Sequence, residues 1–155
     1  MTLKEYQEKR NFLKTPEPRA GRASKTRQGL VYVIQKHRAS HLHYDLRLEE
    51  KGVLKSWAIP KDPPRQEGVR RLAVATEDHP LGYADFEGEI PEGEYGAGRV
   101  EIWDKGTYQA EETAPGKRVV VIQGQLLNGR YGLIKLKPEN SADKNWLFFK
   151  LKSPL

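Results

Sequence analysis

Beyond Leu30 the chain alternates polar and apolar residues in short runs broken by glycine, proline and asparagine. The clearest run is Tyr44-Asp45-Leu46-Arg47-Leu48-Glu49. A period of two is that of a half-buried strand. Strands are predicted on this basis over Leu30–Gln35, His43–Glu49, Val53–Ile59, Arg71–Thr76, Tyr83–Glu89, Gly98–Asp104, Gly106–Glu111, Arg118–Leu127, Tyr131–Leu136 and Trp146–Lys150. Lys51-Gly52, Lys105-Gly106 and Asn128-Gly129 read as turns between them, the last most strongly, because a tight hairpin needs residues that tolerate positive φ. Upstream, residues 1–13 can form a short helix with Leu3, Tyr6 and Arg10 near one face. Thr15-Pro16-Glu17-Pro18 stops it, since proline lacks a donor and disfavours helix in the residue before it. Residues 19–28 carry no apolar pattern and read as an extended linker. The expectation is an all-β fold with minor α content, a barrel or a sandwich, divided into a basic N-terminal arm (1–28) and a β-domain (29–155).

Charge sharpens this division. Of the net +6, residues 1–28 hold eight Lys/Arg against three Glu, or +5, leaving 19 − 18 = +1 for the rest. A basic arm on a nearly neutral body suggests contact with a polyanion, most simply nucleic acid; a solvated tail would carry the same charge. Cysteine is absent, which excludes a disulfide framework, a thiolate metal site and a cysteine nucleophile, and fits a reducing cytoplasm. The longest aliphatic run, Val119-Val120-Val121-Ile122, is far too short to span a membrane, and Met1–Tyr6 lacks the apolar core of a signal peptide. The expected location is the cytoplasm.

The chemistry is concentrated in one place. Three of four histidines fall in His37-Arg38-Ala39-Ser40-His41-Leu42-His43. On the strand that follows, His43, Asp45 and Arg47 share one face and Tyr44, Leu46 and Leu48 the other. His37 arrives from just upstream. Two imidazoles and a carboxylate can hold a divalent metal such as manganese, iron or zinc, and the forked guanidinium of Arg47 suits a phosphate or carboxylate. The bland account is a pair of surface histidines and a cross-strand ion pair, which does not explain why three metal-competent groups adjoin Arg47 on a well-patterned strand. His41 reads as loop decoration. The second cluster, Glu77-Asp78-His79-Pro80-Leu81-Gly82-Tyr83-Ala84-Asp85, reads as a turn after a strand. His79 is its candidate general acid or phosphate donor; Tyr83 alone would be a core or rim aromatic. Residues 87–96, rich in glycine and acids, read as turn architecture.

The string from Gln35 to Glu49, together with Leu54–Lys61, Glu77–Gly88 and Ile90–Gly96, closely resembles the 3′-phosphoesterase domain of bacterial DNA ligase D. Four blocks in order cover nearly the whole chain and leave nothing for ligase or polymerase domains, as in a stand-alone version or an excised domain. The resemblance implies a compact antiparallel β-barrel and a manganese-dependent enzyme, with zinc or cobalt as other candidate ions. Such an enzyme removes a 3′-terminal ribonucleoside and then the 3′-phosphate during DNA strand-break repair by non-homologous end joining. It implies His37, His43 and Asp45 as metal ligands, Arg47, His79 and Tyr83 at the scissile phosphate, and Lys61 and Arg71 as supporting cations. In the arm it implies Arg10 and Glu17 as substrate-binding residues. Asn11 departs from the pattern, because an aspartate commonly follows that arginine, which bears on the ribonuclease step more than on the phosphatase step. DNA 3′ ends would be the substrate, with a DNA ligase, a polymerase or a Ku-type end-joining protein as partners.

Two other classes fit parts of the sequence. A non-haem iron oxygenase also uses two histidines and a carboxylate, but Arg47 and the basic arm point to phosphate. A non-catalytic nucleic-acid-binding module needs only the arm and leaves the histidine cluster unexplained.

Overall fold

A computed structural model describes residues 2–18 and 29–153. The predicted linker, residues 19–28, lies outside the described residues. The chain begins with helix α1 (Leu3–Glu8), whose N-terminus is closed by a reciprocal capping box between Thr2 and Glu5. The helix ends well short of residue 13. Arg10 folds back to donate from Nη1 to the Tyr6 carbonyl at 3.1 Å, satisfying an orphan helix-end acceptor. Asn11 starts a turn instead, its side-chain oxygen accepting from the Leu13 N–H at 3.1 Å.

The strands are β1 (Leu30–Arg38), β2 (Leu42–Glu50), β3 (Val53–Ile59), β4 (Arg70–Pro80), β5 (Gly88–Ile90), β6 (Gly98–Ala114), β7 (Lys117–Gln123), β8 (Asn128–Lys135) and β9 (Asn145–Lys150). All neighbours are antiparallel, in the order β1-β2-β3-β4-β9-β8-β7-β6, and β6 pairs again with β1. Eight strands thus close into a barrel, and β5 adds to the outside edge of β6. The alternation does what it predicts: Ile34, Leu46, Trp57, Val120, Leu133 and Phe148 point into one buried core. Among the described residues no helix is long and apolar enough to cross a membrane.

Several predicted boundaries move. The Lys51-Gly52 turn is present, with φ of 49° and 83° at its two residues, as a two-residue hairpin requires. Lys105-Gly106 is no turn. Gly98–Ala114 is one continuous strand, and Gly106 is where the Gln123 carbonyl would lie 1.9 Å from any Cβ. That glycine serves close backbone approach rather than chain reversal. Asn128-Gly129 starts β8, and the connection is residues 124–127. The Asp104 carboxylate holds it, accepting from the N–H groups of Gln125, Leu126 and Leu127 at 2.9–3.0 Å. Over Tyr83–Glu89 the expected strand is replaced by a 3-10 helix (Leu81–Asp85) followed by β5.

The outer face of β1–β4 is only partly open to solvent. Helix α1 and the 3-10 helix pack over it, forming a second apolar cluster in which Tyr6, Val33, Leu54, Tyr83 and Phe86 are buried. Asp45 and Arg47 are therefore buried, against the expectation of an open strand face.

Candidate active site

The outer face carries a small grid of polar side chains. β1 continues past Gln35 to Arg38, so His37 lies on the strand, directly opposite His43 on β2. Gln35 is opposite Asp45, and Arg47 is opposite Ser56 on β3. Directly paired residues present their side chains on the same face, and the two imidazole rings meet edge to face with centres 4.7 Å apart.

Both histidines are fixed by backbone carbonyls. His37 donates from Nε2 to the Gly96 carbonyl at 2.6 Å, which leaves the Nδ1 lone pair free, 3.6 Å from Asp45 Oδ2. His43 donates from Nδ1 to the His41 carbonyl at 3.1 Å and turns Nε2 to the same oxygen at 3.3 Å. One ligand-capable atom from each of His37, His43 and Asp45 lies within 4.8 Å of the others. Carbonyl anchoring of the far nitrogen is how proteins set the tautomer and aim of a metal-binding histidine. The donor set therefore fits a divalent transition ion.

Burial alone would raise the Asp45 carboxyl, but the His37 and His43 imidazoles set against it and the charge of Arg47 outweigh it and hold the group well below the usual carboxylate range. For His43 burial pulls the pKa down, and its hydrogen bond and attraction to Asp45 reverse that, so the net shift is upward.

Arg47 is clamped. Its Nε donates to Gln35 Oε1 at 2.6 Å and its Nη1 to Ser56 Oγ at 2.9 Å, leaving Nη2 directed to the cleft, 3.6 Å from Asp45. Gln35 is itself fully buried and donates to the carbonyls of Tyr83 at 2.7 Å and Phe86 at 3.1 Å. One side chain thus ties the guanidinium to the 3-10 helix.

His79 reaches the cleft through an irregularity. The β3–β4 pairing shifts between Leu54 and Ser56, whose partners are His79 and Thr76. The extra residue in β4 re-aims the strand end, as bulges commonly do at sites, so that Thr76, Glu77 and His79 all line the same cleft. His79 lies within β4 rather than in a following turn. It donates from Nδ1 to the Glu77 carbonyl at 3.0 Å, leaving the Nε2 lone pair beside Arg10 Nη2 at 3.5 Å. Burial, then the charges of Arg47 and Arg10, push its pKa well below the ordinary histidine value, so the ring is neutral. Tyr83 packs against it with ring centres 4.6 Å apart, and burial first drives the phenol well above its usual pKa, keeping the hydroxyl a donor.

The arm closes one side. Arg10 lies between two carboxylates, 3.0 Å from Glu17 and 3.3 Å from Glu77, with its guanidinium 4.0 Å from the centre of the Tyr6 ring. Glu17 also accepts from Tyr83 Oη at 2.7 Å and from Thr15 Oγ1 at 2.9 Å. Lys9 pairs with Glu77 at 3.2 Å. The cleft so enclosed measures about 230 Å³.

Eight of the residues singled out from sequence line this cleft: Arg10, Glu17, His37, His43, Asp45, Arg47, His79 and Tyr83. Lys61 and Arg71 do not. Lys61 is exposed beyond β3, and Arg71 binds Asp62, through Nε to its carbonyl at 2.7 Å. Gln35, Ser56, Glu77 and Tyr95 were not singled out. Gln35 and Ser56 carry a sequence signal only in hindsight, as polar residues with the parity of Asp45 and Arg47. Asn11 is absent from the cleft lining, its side chain occupied in the turn.

Residues 35–135 match the family model described as the DNA ligase D 3′-phosphoesterase domain. The chain belongs to the DNA ligase D 3′-phosphoesterase family. It is 47% identical to the multifunctional non-homologous end joining protein LigD of Pseudomonas aeruginosa, over 97% of this chain and 18% of that protein. The LigD of Mycobacterium bovis is likewise 47% identical, and that of Mycolicibacterium smegmatis 44%, each over 97% of this chain and 20% of its own length. The chain thus spans about a fifth of the length of these relatives. The metal-competent cluster of His37, His43 and Asp45 lies within the family-matched segment. Arg10 and Glu17 lie outside that segment.

Proposed function

We propose that this chain is a divalent-metal-dependent phosphoesterase acting on DNA 3′ ends, removing a 3′-phosphate and, where one is present, a terminal ribonucleoside beforehand. The observation that carries this reading is the sharing of one cleft by a preset His37–His43–Asp45 cluster and the clamped guanidinium of Arg47. The donor set suits manganese, with zinc or cobalt as further fits. A bound ion would polarise a phosphoryl oxygen and supply a hydroxide-like water near neutral pH.

The chain's own groups take the remaining tasks. Arg47 Nη2 neutralises charge on a non-bridging oxygen, already oriented by Gln35 and Ser56, so little reorganisation is needed as charge develops. Tyr83 donates its hydroxyl to the phosphate by exchanging Glu17 for the incoming anion. Neutral His79 offers the Nε2 lone pair, and an arriving phosphate dianion favours its protonation, which makes it a donor to the leaving oxygen. Arg10 and Glu17 stand where a terminal ribose would sit, with a donor and an acceptor to read its 2′-OH. Lys61 and Arg71, outside the cleft, serve as cations for the strand leading to it. The basic arm (1–28) acts with the barrel (29–155), and the 3′-OH product feeds a ligase, polymerase or Ku-type end-joining assembly in the cytoplasm.

A primer–template ending in one ribonucleotide, followed over time with manganese or with chelator, tests this reading. The expected course is loss of the ribonucleoside, then conversion of the 3′-phosphate end to 3′-OH, in the manganese reaction alone. Product formation in chelator, or none in manganese, overturns it.

A further inference from the structure

The cleft is smaller than the ~300 Å³ at which pockets begin to enclose whole small-molecule ligands. At about 230 Å³, a phosphate seated at Arg47 with its sugar fills it, and the base must lie at the rim. The aromatic side chains deeper in the cleft are committed. Tyr83 and His79 are buried and pack on each other, and the His37 and His43 rings meet edge to face. Tyr95 differs from them. It lies on the turn after β5, lines the cleft, and keeps 49% of its surface exposed. Its ring is nevertheless held: Lys9 Nζ is 4.7 Å from the ring centre and 3.4 Å from the hydroxyl, and the Arg10 guanidinium is 5.3 Å from the ring centre. The next residue, Gly96, supplies the carbonyl that anchors His37, so ring and proposed metal cluster are fixed by the same turn.

We propose that Tyr95 is the stacking platform for the base of the 3′-terminal nucleotide, making the cleft selective for a base-bearing nucleic-acid end over a bare phosphomonoester. This deepens the phosphoesterase reading and rests on it. Stacking on an aromatic face is sequence-tolerant because every base has a π-face, which suits an end-processing site that must take any terminal base. Lys9 and Arg10 hold the ring by cation–π attraction while about half of the residue stays open to a ligand.

The test pairs two substrates with two variants. The substrates are a duplex with an ordinary 3′-phosphorylated terminal nucleotide and the same duplex ending in an abasic deoxyribose 3′-phosphate. The variants are Tyr95→Ala and Tyr95→Phe. On the base-bearing end, Tyr95→Ala should raise KM on the order of tenfold, as for one lost base–aromatic stack, with kcat little changed and Tyr95→Phe close to wild type. Removing the base should cost the wild type a similar factor and cost Tyr95→Ala little more, since both changes delete one contact. An equal added loss for Tyr95→Ala on the abasic end, or a fall in kcat in place of a rise in KM, overturns the assignment. A second readout needs no turnover: terminal 2-aminopurine in chelator should be quenched on binding wild type and Tyr95→Phe but not Tyr95→Ala. Absence of quenching with bound wild type also overturns the assignment. Quenching by a wild type inactive on both ends would retain it and sink the phosphoesterase reading instead.

Discussion

Replacing Gln35 by methionine keeps the side-chain volume and removes one acceptor and two donors at a position with no solvent exposure. Three hydrogen bonds go: that from Arg47 Nε at 2.6 Å, and those to the carbonyls of Tyr83 at 2.7 Å and Phe86 at 3.1 Å. The first is charge-assisted and worth about 1.5–3 kcal/mol; the other two are worth about 1 kcal/mol each. Burying the more apolar methionine offsets part of the sum, giving a net loss of about 3 kcal/mol. With a urea slope of about 2 kcal/mol per molar, the unfolding midpoint should fall by about 1.5 M. No hydrogen bond to His37, His43 or Asp45 is lost, so manganese affinity by titration should hold. Turnover should drop by about ten- to a hundredfold, because Arg47 keeps only the Ser56 hydrogen bond and the longer 3.6 Å contact to Asp45 to position it. Gln35→Glu retains an acceptor for Arg47 and loses the donors to the 3-10 helix, so it should preserve turnover better than stability. A Gln35→Met midpoint within about 0.3 M of wild type, or undiminished turnover, would refute the clamp.

Other predictions follow from the same geometry. His43→Ala should abolish manganese-dependent turnover with little change in melting temperature. Asp45→Ala should also unfold more easily, since it leaves Arg47 buried beside two imidazoles without its anion; equal melting of the two variants would contradict this. Burial, together with Arg47 and Arg10, keeps His79 neutral in the folded chain, whereas a solvated imidazole titrates at 6.5. Unfolded chains therefore take up a proton below about pH 6.5 that folded ones refuse, and stability should fall as pH drops from 7 to 5, by up to about 1.4 kcal/mol per unit. Urea midpoints are best read in His43→Ala with chelator, because the raised pKa of His43 contributes with the opposite sign near neutrality; a flat profile would show that His79 protonates freely when folded. Deleting residues 2–18 removes fully buried Tyr6 and opens the Arg10–Glu17–Glu77 cluster, so both phosphatase and ribonuclease steps should fall with stability, while Asn11→Asp should leave both rates within about twofold because its side chain caps a turn away from the cleft. A selective gain of ribonuclease activity in Asn11→Asp would show that the arm rearranges on substrate.

The barrel and its inward face were legible because alternation reports burial directly. Tyr44, Leu46 and Leu48 needed nothing else, and the parity of His43, Asp45 and Arg47 was correct for the same reason. What failed depended on contacts distant in sequence. Lys105-Gly106 resembles a turn locally, and only its passage against the Gln123 carbonyl shows why glycine is there. Asn128-Gly129 lost the reversal to residues 124–127 because Asp104, on another strand, satisfies three of their N–H groups. The Tyr83–Glu89 segment has apolar residues enough for a strand, yet the Tyr83 and Phe86 carbonyls are taken by Gln35, and only Gly88 and Glu89 join a strand. Parity could place Asp45 on the outer face and could not reveal that α1 and the 3-10 helix cover that face.

The proposed metal ligands all come from one hairpin, β1–β2, with His37 and His43 only six positions apart, whereas closing the barrel joins Ile34 to Asp104, seventy positions apart. Short loops close at less entropic cost than long ones, so the ligand set can assemble in chains whose barrel is still open. An ion held there would bind part of the unfolded ensemble as well as the native state. Its effect on unfolding would then be smaller than its native affinity suggests, because only the difference in binding between the two states shifts the equilibrium.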